Sequence, residues 1–142
     1  MLASVVLAGC VSHPVGPART FGKYEGKAVT TAESARSTVE TVRLAAQTGS
    51  EHNAFGPYLS IVVSDAEEAI SGVQGTFASI QPPGGPADDL YDELEAILSN
   101  ASGHIRAVRL AVRRGDLVSL ADVAEPLAED SDRLTSFIEE HG

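Results

Sequence analysis

The stretch "PADDLYDELEAILSNASGHIRAVRLAVRRG", residues 86–115, decides the fold. Within it Leu90, Leu94, Ile97, Ala101, Ile105, Val108 and Val112 recur at spacings of four and three, which keeps them on one face of a helix with 3.6 residues per turn. Its ends are marked as well. Pro86 suits the first helical position, where its missing N–H is not needed, and Asp88 and Asp89 complement the positive end of the helix dipole. Arg113, Arg114 and Gly115 supply cations and a flexible stop at the other end. Such a helix cannot shelter its apolar face alone, so its neighbours must bring faces of the same kind.

They do so on both sides. Upstream, Ala28, Ala32, Ala35, Val39, Val42 and Ala46 form one seam, with Thr30 and Glu33 as a capping box at its start and Gly49 as a left-handed C-cap. Phe55, Leu59, Val62, Ala66, Ala69, Val73, Phe77 and Ile80 form the next, with Pro57 in its first turn and "QPPGGP", residues 81–86, after its end. Downstream, Asp116 is a candidate N-cap for a segment carrying Leu117, Leu120, Ala124, Leu127, Leu134 and Ile138. Pro126 lies inside that segment, removes a backbone hydrogen bond and clashes with the preceding turn, which predicts a kink or a break. Four amphipathic helices joined by short loops predict an all-α fold, an antiparallel up-down-up-down four-helix bundle over residues 25–142. No internal repeat is present, which excludes a solenoid.

Charge narrows the range of partners. Asp and Glu number 20 against 10 Lys and Arg, a net charge of -10 that repels phosphate backbones, so no nucleic acid is expected to bind. The single cysteine, Cys10, cannot form a disulfide within its own chain or a zinc site built on paired cysteines. No run approaches the roughly 18 apolar residues of a spanning helix.

That cysteine closes "MLASVVLAGC", residues 1–10, where a short apolar run ends in small residues as secretory signals do. Leu7-Ala8-Gly9-Cys10 resembles the lipobox of bacterial membrane lipoproteins. The resemblance implies that residues 1–9 are a signal peptide cleaved before Cys10, and that lipid on the Cys10 sulfur anchors the chain to the extracytoplasmic face of the cell membrane. Each buried methylene of such a lipid contributes about 0.8 kcal/mol, so two or more acyl chains hold a soluble body firmly. No Lys or Arg precedes Arg19, so a translation start upstream of Met1 is expected to supply the basic n-region. Residues 10–24, with Pro14, Pro17, Gly16 and Gly22 after the lipidated Cys10, read as a flexible tether. The Ala-rich body, with Arg far more frequent than Lys, is similar to actinobacterial lipoproteins in general style only.

The body carries few chemical signals. Di-iron bundles use Glu-x-x-His, and none of His13, His52, His104 and His141 follows a Glu by three places. With no C-x-x-C-H either, neither a metal nor another cofactor is expected. Asp88, Asp92 and Glu95 read as a solvated helix start, Arg114-Gly115-Asp116 as adjoining caps, and Asn100-Ala101-Ser102 as a helical segment rather than a glycan acceptor. Arg106, Arg109 and Arg113 form a basic stripe. Antiparallel pairing about Gly115 predicts Asp122 beside Arg109 and Glu125 beside Arg106.

"SNASGH", residues 99–104, places weak helix formers mid-helix, level with Pro126, Ser64, Asp65, Ser37 and Thr38. A polar layer there would let His104, Asp65 and Asn100 contact a ligand in a small cleft, against the simpler reading of a histidine facing water. Gly72 and Gly75 either permit close helix approach or serve no packing need. No nucleophile turn or phosphate-binding loop is visible, so a non-enzyme is expected. The resulting expectation is a lipid-anchored interaction or accessory module of the bacterial cell envelope, with an envelope protein as partner. The alternatives are a small-ligand or metal-binding sensor bundle, and an enzyme with His104 as its acid or base.

Overall fold

The computed structural model describes residues 17–51 and 56–142; the expected signal peptide over residues 1–9, Cys10, His13, His52 and Phe55 lie outside them. Among the described residues every regular element is helical: α1 (Phe21–Ser50), α2 (Gly56–Ala78), α3 (Pro86–Arg113), α4 (Leu120–Ala124) and α5 (Pro126–His141). The fold is all-α.

α3 buries each of the seven residues of its predicted seam and adds Ala87, Leu98 and Ala111 beside them. It starts at Pro86, and Gly115 after its end takes φ +70°, a left-handed conformation that a glycine adopts without strain.

α1 likewise buries Ala28, Ala32, Ala35, Val39, Val42 and Ala46, but both of its ends differ from expectation. It begins at Phe21, because the extended Thr20 accepts a hydrogen bond from the Lys23 N–H and because Tyr24 is fully buried against Phe77. Residues 21–24 are therefore helix, not tether. Thr30 is no cap, since its hydroxyl donates to the Gly26 carbonyl at 3.0 Å inside the helix. Gly49 is no cap either. It is buried and helical, and a Cβ there would come within 2.8 Å of Leu59 Cδ1 and 2.9 Å of Leu120 Cδ2. Its missing side chain is what lets α2 and α4 close over the end of α1.

α2 is turned relative to the predicted seam. Leu59, Val63, Ala66, Ile70 and Phe77 are buried, while Val62 and Val73 are half-buried and Ala69 is exposed. The run Leu59-Ser60-Ile61-Val62-Val63 is apolar on most sides, so periodicity alone did not single out the face that meets α1 and α3.

The last segment breaks at proline as expected. α4 ends at Ala124 and α5 starts at Pro126, with Glu125 between them still at φ −53° and ψ −43°. The backbone path continues while one hydrogen bond of the ladder is lost. Asp116 does not cap the helix. It accepts from the Ser119 N–H and from the Ser119 hydroxyl at 2.5 Å in a preceding turn, so regular helix waits until Leu120.

α1 touches each of the other four helices and α3 touches α2, α4 and α5, whereas α2 meets neither α4 nor α5. Alanine explains the central place of α1. Short side chains at 28, 32, 35, 45 and 46 leave room for larger ones from several neighbours. No described helix is long and apolar enough to cross a membrane.

Candidate functional site

Among the described residues, two consecutive residues of α5, Asp130 and Ser131, are the buried polar side chains of the core. Neighbours along a helix point about 100° apart, so the pair reaches two different helices. Asp130 Oδ2 lies 2.6 Å from His104 Nδ1 on α3, and the Ser131 hydroxyl donates to Glu40 Oε1 on α1 at 2.5 Å. Glu40 also accepts from Arg43 Nη1 at 2.7 Å. The Ser131 hydrogen bond foremost, then Arg43, holds the Glu40 carboxyl below its ordinary range in spite of partial burial. A set of polar contacts at the level of His104 ties α5 to both α1 and α3.

Its membership differs from the sequence expectation. His104 is half-buried and engaged with Asp130, while Asp65 on α2 and Asn100 on α3 are exposed. No hydrogen bond or ion pair joins either of them to His104 among the described residues. Asp130 was legible in principle: it is an acid set among Leu127, Leu134 and Phe137 at core spacing.

The basic stripe is also partnered differently. Arg106 Nε lies 3.2 Å from Glu67 Oε1 and Arg109 Nε contacts Glu67 Oε2, so both arginines pair with α2 and not with Asp122 or Glu125. The late start of α4 at Leu120 removes the hairpin register that the prediction assumed. Gln74 Nε2 donates to Glu95 Oε1 at 2.6 Å along the same α2–α3 seam.

Over this closed core lies an apolar stretch of surface. Leu44 is 66% exposed, Tyr58 60% and Ile61 61%. Leu44 and Tyr58 line one hollow of about 180 Å³ with Thr41, Thr48 and Val62, and Ile61 follows Tyr58 one turn along α2. Leu44 also edges a hollow of about 330 Å³ beside Gln47, Ala121, Ala124 and Ala128. Elsewhere, a hollow of about 550 Å³ runs between α1 and α2 past Thr31, Ser34, Gly72 and Val73. A Cβ on Gly72 or Gly75 would meet nothing within 4 Å, so neither glycine serves close helix packing. His104, Asp65 and Asn100 line none of these hollows.

One further group has the chemistry of a metal ligand set. Glu93, Glu140 and His141 each offer a donor atom, and the three atoms all lie within 4.8 Å of one another. Compared with protein families, with curated proteins and with solved structures, the chain matches none.

Proposed function

We propose that this protein is a lipid-anchored interaction module on the extracytoplasmic face of a bacterial cell membrane, held there through Cys10 and docking an envelope protein through the outer surface of α1 and α2. The observation that carries the docking is the exposure of Leu44, Tyr58 and Ile61 on adjoining helices. Apolar groups that cluster on a surface remain there at a cost unless something covers them, and an exposed tyrosine beside leucine suits the centre of a protein interface. The chain's net charge of -10 favours a partner with an apolar patch inside a basic rim. The anchoring rests on Leu7-Ala8-Gly9-Cys10.

The helices of this module run up-down-up-down, with α4 and α5 together as the fourth. Cross-contacts support that order: Tyr24 meets Phe77, Glu67 meets Arg106, and Ser131 meets Glu40 while His141 approaches Glu25. Between α1 and α5, Glu40 goes with Ser131 and Glu25 with His141, and between α2 and α3, Glu67 goes with Arg106 and Gln74 with Glu95, so one position falls as the other rises. Gly49 against Leu59 and Tyr24 against Phe77 give α1 and α2 the same opposition.

Two experiments test the proposal. Cells fed a radioactive fatty acid should label the wild type and not Cys10→Ala; equal label on both ends the anchoring. A photo-crosslinker at position 58 should give one discrete adduct with another envelope protein, lost in Leu44→Glu, while the same probe at Glu139 gives none. An adduct only with a second copy of the chain, or none at all, overturns the docking.

A further inference from the structure

We propose that Glu93, Glu140 and His141 bind one Zn²⁺ ion, with Glu25 orienting the imidazole from outside. The site is independent of the docking surface on α1 and α2. Three helices build it: α3 carries Glu93, the last turn of α5 carries Glu140 and His141, and α1 supplies Glu25.

The state of the imidazole points to a ligand. Among the described residues His141 Nε2 is buried and has no hydrogen-bond partner, which is rare for a buried polar atom. It lies 3.8 Å from Glu93 Oε2, too far for a hydrogen bond. Ligands of a tetrahedral zinc ion with bonds near 2.0–2.1 Å stand about 3.3 Å apart, so a metal between these two atoms needs only a modest contraction. Glu93 and Glu140 are exposed and free to make that adjustment. On the other side of the ring, Nδ1 lies 3.4 Å from Glu25 Oε1. A carboxylate behind the non-ligating nitrogen is the usual arrangement for a metal-bound histidine, because it sets the tautomer and raises ligand basicity. The Phe137 ring, 4.6 Å from the imidazole between centroids, limits its tilt.

The chemistry of the set selects the ion. One imidazole and two carboxylates suit zinc and neighbouring first-row metals, whereas calcium and magnesium favour oxygen-only shells. Three protein ligands leave a fourth position for water. A hollow of about 230 Å³, lined by four acids, Glu93, Glu129, Asp132 and Glu140, against one cation, Arg133, opens beside the cluster, and its net negative charge favours cations. Since the donors come together only in the folded chain, binding should stabilise the fold.

Zinc titration of the purified chain in competition with a chromophoric chelator is expected to give one ion per chain, with a rise in Tm of about 5–10 °C at a hundredfold excess over Kd. His141→Ala should weaken binding by about 100-fold, Glu140→Gln by about tenfold, and Glu25→Ala by about tenfold through orientation alone. Magnesium at a hundredfold excess over zinc should not compete. Cobalt in place of zinc should show the intense visible bands of a four-coordinate ion, absent in His141→Ala. Glu140 is exposed, so its variant folds whether or not His141→Ala does. Absence of stoichiometric zinc binding, an affinity unchanged in Glu140→Gln and His141→Ala, or equal competition by magnesium overturns the site and leaves only a surface of acidic side chains.

Discussion

His104 on α3 and Asp130 on α5 meet at 2.6 Å with opposite access to water: the histidine side chain is 39% exposed and the carboxylate only 3%. Their loss should therefore be unequal. His104→Ala strips a sealed acid of its partner and should cost about 1–3 kcal/mol, the penalty for an unsatisfied buried group. Asp130→Asn keeps shape and an acceptor while removing the buried charge, and should cost less than about 1 kcal/mol. Urea unfolding of both variants decides, and a His104→Ala cost no larger than that of Asp130→Asn contradicts the account.

Glycine substitutions should split by environment. Gly75 and Gly103 are helical and a Cβ on either meets nothing within 4 Å, so alanine at each should stabilise by about 0.5–1 kcal/mol. Gly49→Ala drives a methyl into Leu59 and Leu120 and should destabilise by about 1–3 kcal/mol. Thermal unfolding of the three variants should show Tm rising for two and falling for the third.

Tyr24 gives the alkaline limb of stability. Burial foremost, with Tyr91 and Asp88 adding to it, raises its pKa from 10.0 to about 12. Between those two values the unfolded chain has lost the proton and the folded chain retains it, so stability falls as pH rises through that window. Its hydroxyl is buried and has no hydrogen-bond partner among the described residues, so Tyr24→Phe should be neutral or stabilising near pH 7 and should flatten the decline above pH 10. Urea midpoints at about pH 9 and pH 11.5 check both halves.

Glu40 gives an acid limb of the opposite sense. Its carboxyl is lowered from 4.5, chiefly by the Ser131 hydroxyl, so its contribution is complete above 4.5 and is lost as pH falls through the lower folded value. Ser131→Ala should cost about 1 kcal/mol at pH 7. The gap between variant and wild type should then narrow as Glu40 takes up its proton. A gap that stays constant down to pH 3 would show that the serine acts without the carboxylate.

The sequence by itself determined the helical segments, though not all of their ends. Spacing of four and three settles which residues of α1 and α3 turn inward, Pro126 splits α4 from α5, and Gly115 ends α3, because each of these follows from the geometry and chemistry of a few adjacent residues. Only the tertiary structure decided which helix each polar group meets. Arg106 and Arg109 turned to Glu67, His104 turned to Asp130, and Gly49 became a contact instead of a cap, all through the rotation and register of neighbouring helices. The cluster of Glu25, Glu93, Glu140 and His141 draws on three helices far apart in sequence. Register between helices is fixed by packing of whole faces, and no short-range pattern records it.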